Sequence, residues 1–163
     1  MIDFLQLKDF IVVDGHGCVY LIDCKRNRPY ILLESQCDII TSLDVHPESD
    51  MISLGNEKGQ LSMVNYSNCQ FTYIKSVSDF VKTEQRVITC IKYTSIGNHL
   101  AVGMKSGELF FVDSCLYLPK QEKPFNFSST SITNICFSPD DSFMAHILIW
   151  GQLQHEVMGH FVL

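Results

Sequence analysis

"GNEKGQLSMVN" occupies Gly55–Asn65 and "GMKSGELFFVD" occupies Gly103–Asp113, with both glycines of each stretch in the same register. The agreement spreads in both directions. "ITSLDVHPESDMISLGNEKGQLSMVN" (Ile40–Asn65) aligns without a gap to "ITCIKYTSIGNHLAVGMKSGELFFVD" (Ile88–Asp113). A third copy opens at Ile132 as "ITNICFSPDDSFMAH", and "GCVYLID" (Gly17–Asp23) matches the closing part of the others. Repeat starts at 40, 88 and 132 stand 48 and 44 residues apart, a period that marks repeat architectures.

Each unit reads as strands separated by turns. In Ile40–Val45, Ile88–Tyr93 and Ile132–Phe137 the pairs Leu43/Val45, Ile91/Tyr93 and Ile135/Phe137 alternate with other residues, as a pleated strand requires. The turns "HPESD", "TSIGN" and "SPDDS" follow, rich in residues whose steric or side-chain properties favour reversal. Next come "MISLG" and "HLAVG", a short turn closed by Gly59 or Gly107 where a positive φ is expected, and then "QLSMV" and "ELFFV". This third strand is apolar on both faces, as in a sheet sandwiched between neighbours. A more polar fourth strand is expected at "RPYILLES", "QFTYIKS" and "KPFNFSS".

The fold class expected is therefore all-β: four-stranded antiparallel sheets stacked as propeller blades, about three and a half of them, forming an incomplete propeller. The expected division is a partial first blade at 1–37, lacking its opening strand; a second blade at 38–86 with an insertion loop at 76–86; a third at 87–131; and an incomplete fourth blade with a divergent tail at 132–163.

The pattern of apolar strand, S-P-D-type turn, apolar pair and G-x-x-x-G-x-L-x-x-V-D/N resembles the WD40-repeat family of β-propellers, and covers most of the chain. "SPDDSFMA" (Ser138–Ala145) is its nearest match. The family's closing Trp-Asp stands here as Ile22-Asp23, Val64-Asn65 and Val112-Asp113. Its buried Asp before the third strand is matched only by Asp14, with Asn56/Glu57 and Met104/Lys105 in the other units. Divergent repeats of this kind are similar to those of large ciliary and flagellar WD-repeat proteins. The resemblance implies a non-catalytic scaffold that binds other proteins within a multi-subunit assembly. It implies a cytoplasmic chain, with the cytoskeleton of the cilium and its axoneme as the narrower expectation.

Composition excludes several other classes. The 163 residues carry a net charge of −6, against the basic face that phosphate binding needs, so no nucleic acid is expected. No apolar run reaches the roughly 20 residues of a membrane span, so no membrane contact is expected. The seven cysteines are dispersed and never spaced C-x-x-C, which reads as buried reduced thiols and not a metal site. "HEVMGH" (His155–His160) departs from H-E-x-x-H by one residue, which rotates the second His off the shared helical face; it is read as a loose polar end. "GMKSGE" places Lys105 and Ser106 before the second glycine and a strand after it, unlike a P-loop. No cofactor, metal or catalytic residue is assigned.

The candidate contact residues lie in loops. The turns Asp14–His16, Asn56–Lys58 and Met104–Ser106 should line one rim of adjacent blades, offering His16, Glu57, Lys58 and Lys105 to a protein partner. The insertion "SVSDFVKTEQR" (Ser76–Arg86) adds Phe80 as an anchor, or is simply a longer solvated turn. Open blade edges suggest self-association or completion by further blades. Two other readings stay open: a propeller enzyme or ligand binder using a central channel, and a short piece of a longer propeller without activity of its own.

Overall fold

The computed structural model describes residues 2–4, 9–34, 38–77, 85–115, 118–120, 123–126, 129–150 and 153–160; for 2–4, 71–75, 148–150 and 153–160 it describes the backbone alone. Among the described residues, four antiparallel sheets succeed one another along the chain. The first holds β1 (Ile2–Phe4), β2 (Phe10–Val13), β3 (Val19–Asp23) and β4 (Arg28–Leu33). The second holds β5 (Ile40–Val45), β6 (Met51–Asn56), β7 (Gln60–Asn65) and β8 (Gln70–Ser76). The third holds β9 (Ile88–Tyr93), β10 (His99–Met104), β11 (Glu108–Asp113) and β12 (Phe125–Asn126). The fourth holds β13 (Ile132–Phe137), β14 (Phe143–Trp150) and β15 (Leu153–His160).

Every sheet is a meander, each strand paired to its sequence neighbour. The opening strands β5, β9 and β13 pack against one another from sheet to sheet, so the sheets turn about their inner edges as blades do. The all-β blade architecture matches the expectation from sequence, with differences at both ends. The first sheet does have an opening strand: β1 pairs with β2 through Ile2↔Val12 and Phe4↔Phe10. In the third sheet the outer strand shrinks to two residues. In the fourth, "HEVMGH" is no loose end; it lies within β15, and β14 runs to Trp150 before the chain returns at Leu153.

Three apolar seams form the core. Ile11, Val13, Val19 and Leu32 meet Leu43, Ile52, Leu54 and Val64 between the first two sheets. Leu61, Met63 and Val77 meet Tyr93, Leu100, Val102 and Phe110 between the next two. Cys90, Ala101, Leu109 and Phe111 meet Ile132, Ile135 and Met144 at the last. Alternation assigns the faces: in β6, Ile52 and Leu54 look back to the first sheet while Ser53 and Gly55 look on to the third.

Each seam also carries polar bonds. Thr41 Oγ1 donates to the carbonyls of Gly55 in its own sheet and Ile88 in the next. Thr89 repeats this with Gly103 and Ile132. Asp44, itself buried, accepts from Lys92 Nζ and the Tyr93 amide, both at 2.6 Å. Buried Ser53 pairs its hydroxyl with that of Tyr93 and points at Met63 sulfur.

Candidate functional site

The rim expected from sequence is built by three equivalent hairpin turns, linking β2 to β3, β6 to β7 and β10 to β11. In each, the amide of the closing glycine (Gly17, Gly59, Gly107) donates to the carbonyl three residues back. Those glycines adopt φ of 79°, 77° and 85°, a region that Cβ disfavours.

Side chains hold two of the turns from within. Asp14 Oδ1 accepts from the amides of His16 (2.8 Å) and Cys18 (3.0 Å). Asn56 Oδ1 accepts from the amides of Lys58 (3.0 Å) and Gln60 (2.8 Å). Asn56 thus does for the second sheet what Asp14 does for the first, an equivalence that sequence reading missed because it sought an acid. The Cys18 amide, followed by the His16 amide and the Tyr20 hydroxyl, holds the Asp14 carboxyl below the usual carboxylate range. Met104 stands at this place in the third turn, where Ser106 instead donates to Glu108 (2.7 Å).

Further bonds tie two turns to the segment entering their own sheet. The Glu57 amide donates to Ile39 carbonyl and the Lys105 amide to Val87 carbonyl, at equivalent positions in the repeat. Lys58 pairs with Asp38 while its ammonium end stays largely open to solvent. His16, Glu57, Lys58 and Lys105 are all exposed, on backbone that is pinned. The structure therefore carries these four side chains on equivalent turns of three successive sheets. Phe80 lies outside the described residues, as does most of the insertion loop.

The opposite rim holds a feature that sequence reading passed over. The turns following β5, β9 and β13 interlock. His46 sits with its ring against Gly97 of the next turn and edge-on to Tyr93 at 4.8 Å. Ser95 donates its amide to the Asp141 carboxylate (2.8 Å) and its hydroxyl to Ser138 carbonyl (3.1 Å). A crevice of about 270 Å³ opens between the third and fourth sheets, lined by residues such as Ile96, His99, Pro139 and Asp140. Asp140 accepts from the hydroxyls of Ser138 and Ser142, which hold its carboxyl down to about 2. Asp140 thus serves the turn that carries it, while Asp141 ties that turn to Ser95 of the third sheet.

Among the described residues no group of His, Cys, Asp and Glu is placed to hold a metal ion. Among the described residues no helix is long and apolar enough to cross a membrane. The buried Cys90 thiol is pushed up to about 12 by burial, so it stays protonated and inert.

No family model matches the chain. It is 26% identical over 143 residues to cilia- and flagella-associated protein 251 of Pongo abelii, covering 88% of this chain and 12% of that protein. To cilia- and flagella-associated protein 251 of Mus musculus it is 23% identical over 145 residues, covering 88% and 11%. The chain thus spans about an eighth of the length of the curated relatives it matches. Its fold superposes on a chain from the crystal structure of the mitotic checkpoint complex with a TM-score of 0.76 at 14% identity, over 90% of this chain and 42% of the other. The blade architecture is shared at that distance.

Proposed function

We propose that this chain is a non-catalytic, WD-repeat-like propeller segment that presents a protein-binding rim within a ciliary assembly, with further sheets completing the ring. One observation carries the reading: His16, Glu57, Lys58 and Lys105 stand exposed on turns whose backbones are fixed by Asp14, Asn56 and the amide bonds to Ile39 and Val87. A turn whose backbone is already fixed loses little backbone entropy when a partner docks, leaving only the side chains to be ordered. The similarity to cilia- and flagella-associated protein 251 supports placement in the cilium and its cytoskeleton, and partners that are proteins.

The test is capture from a ciliary extract with the intact chain and with Glu57→Ala/Lys58→Ala/Lys105→Ala. The rim reading expects the triple variant to lose defined axonemal partners while its melting temperature stays within a degree or two. Unchanged capture by a folded variant would remove the rim from the reading.

A further inference from the structure

The two inner seams between sheets two and three and between three and four share one geometry. Thr41 and Thr89 each bond the carbonyl of the isoleucine that opens the next sheet, Ile88 or Ile132. That isoleucine also fills a notch left by glycine. A Cβ on Gly55 would stand 2.5 Å from both Ile88 Cγ2 and Ser42 Oγ, and one on Gly103 would stand 2.9 Å from Ile132 Cγ2 and 2.6 Å from Cys90 Sγ of its own sheet. The notch is a hole and the isoleucine its knob.

The fourth sheet repeats the backbone of this arrangement. Thr133 donates to Ile147 carbonyl (3.2 Å), just as Thr41 does to Gly55 and Thr89 to Gly103. The bulge recurs as well: Ser42↔Gly55, Cys90↔Gly103 and Asn134↔Ile147 each stand beside the same register shift. Yet the hole is gone, because a half-buried isoleucine occupies the glycine position. Asn134 and Cys136, whose counterparts in the second sheet are the buried Ser42 and Asp44, stand exposed.

We infer that the outward face of the fourth sheet fits a β-sheet whose inner strand opens with glycine or alanine, and rejects one that opens with isoleucine as this chain's own repeats do. Knob and hole exchange sides across this seam. Ile147 projects into the room left by the small residue, and Thr133 takes the carbonyl of that same residue. The partner is a sheet, since the repeated seam geometry asks for a backbone acceptor at the start of an inner strand. The inference deepens the completion part of the proposed function and stands apart from the rim.

The size rule is tested first inside the chain. Gly103→Ile should expose β13, with amide hydrogen exchange of Ile132–Phe137 faster by more than about ten-fold. The swap Gly103→Ile/Ile132→Gly should bring it back towards the parent rate. If the single variant exchanges like the parent, or the swap restores nothing, the rule is wrong. The face itself is read by extending the full chain, through a flexible linker, with a second copy of residues 87–131. With Ile88→Gly in the copy, β13 and the copy should gain exchange protection together; with Ile88 retained in the copy they should not. Equal docking of both forms, or of neither, would overturn the assignment.

Discussion

His146 is fully buried at the place where the second sheet has Leu54 and the third has Val102. Burial lowers its pKa below the ordinary 6.5, and does the same to His46 and His99. In the unfolded chain these imidazoles recover the ordinary value, so below it the unfolded state binds more protons. Stability should be level above about pH 7 and fall as pH drops through the range just below 6.5. Thermal melts between pH 8 and pH 5.5 check this, and His146→Leu should flatten the slope. An equal slope in that variant would assign the effect to the other two histidines. Asn56 offers a second residue-scale prediction. Asn56→Ala leaves two amides in a tight turn without their acceptor and should cost about 1–3 kcal/mol in denaturant titration. Asn56→Asp, which keeps the acceptor that Asp14 supplies elsewhere, should cost less than half as much.

Strand order, turn positions and the glycine-closed hairpins were legible because alternation and turn chemistry are local properties. β5 and β9 start and end where "ITSLDV" and "ITCIKY" place them, and β6 and β10 run one residue past "MISLG" and "HLAVG", to Asn56 and Met104. The three-residue β1 was not legible, since pairing along β2 supplies what its own length cannot. The reason for Gly55 and Gly103 was not legible in the sequence: the space a Cβ would need is taken by the next sheet's isoleucine together with Ser42 or Cys90 of the same sheet. The threonine that follows each opening isoleucine was visible as "IT" in all three units, but its acceptor lies 47 or 43 residues away. Thr89→Val should therefore weaken one seam without altering a strand. The expected loss is about 1 kcal/mol, or roughly 2–4 °C in melting temperature for a chain of this size. Gly55→Ala should cost more, about 1–3 kcal/mol, because its methyl meets both Ile88 and Ser42. If Thr89→Val proved the costlier of the two, polar pinning and not shape would dominate the seam.

At the scale of the whole molecule, the seams decide whether four sheets behave as one body. A sheet here buries its apolar faces only against neighbours, so no sheet holds a core by itself. Strands β7 and β11, each buried on both faces, belong to two seams or lie beside them, and their amides should exchange slowest. The ion pair between Asp44 and Lys92 sits at the middle seam, with Asp44 buried and the Lys92 ammonium partly open to solvent. Lys92→Met keeps the packed stem but takes the ammonium away from the buried carboxylate, which keeps its bond from the Tyr93 amide. Solvent screening on the lysine side brings the cost below that of a fully buried pair, to about 1–2 kcal/mol. If the seams couple all four sheets, that loss should appear as faster exchange in β2 and β14 as well as in β5 and β9. Acceleration confined to the second and third sheets would mean that the sheets open one by one, and that the proposed rim is carried by separable blades and not by a rigid body.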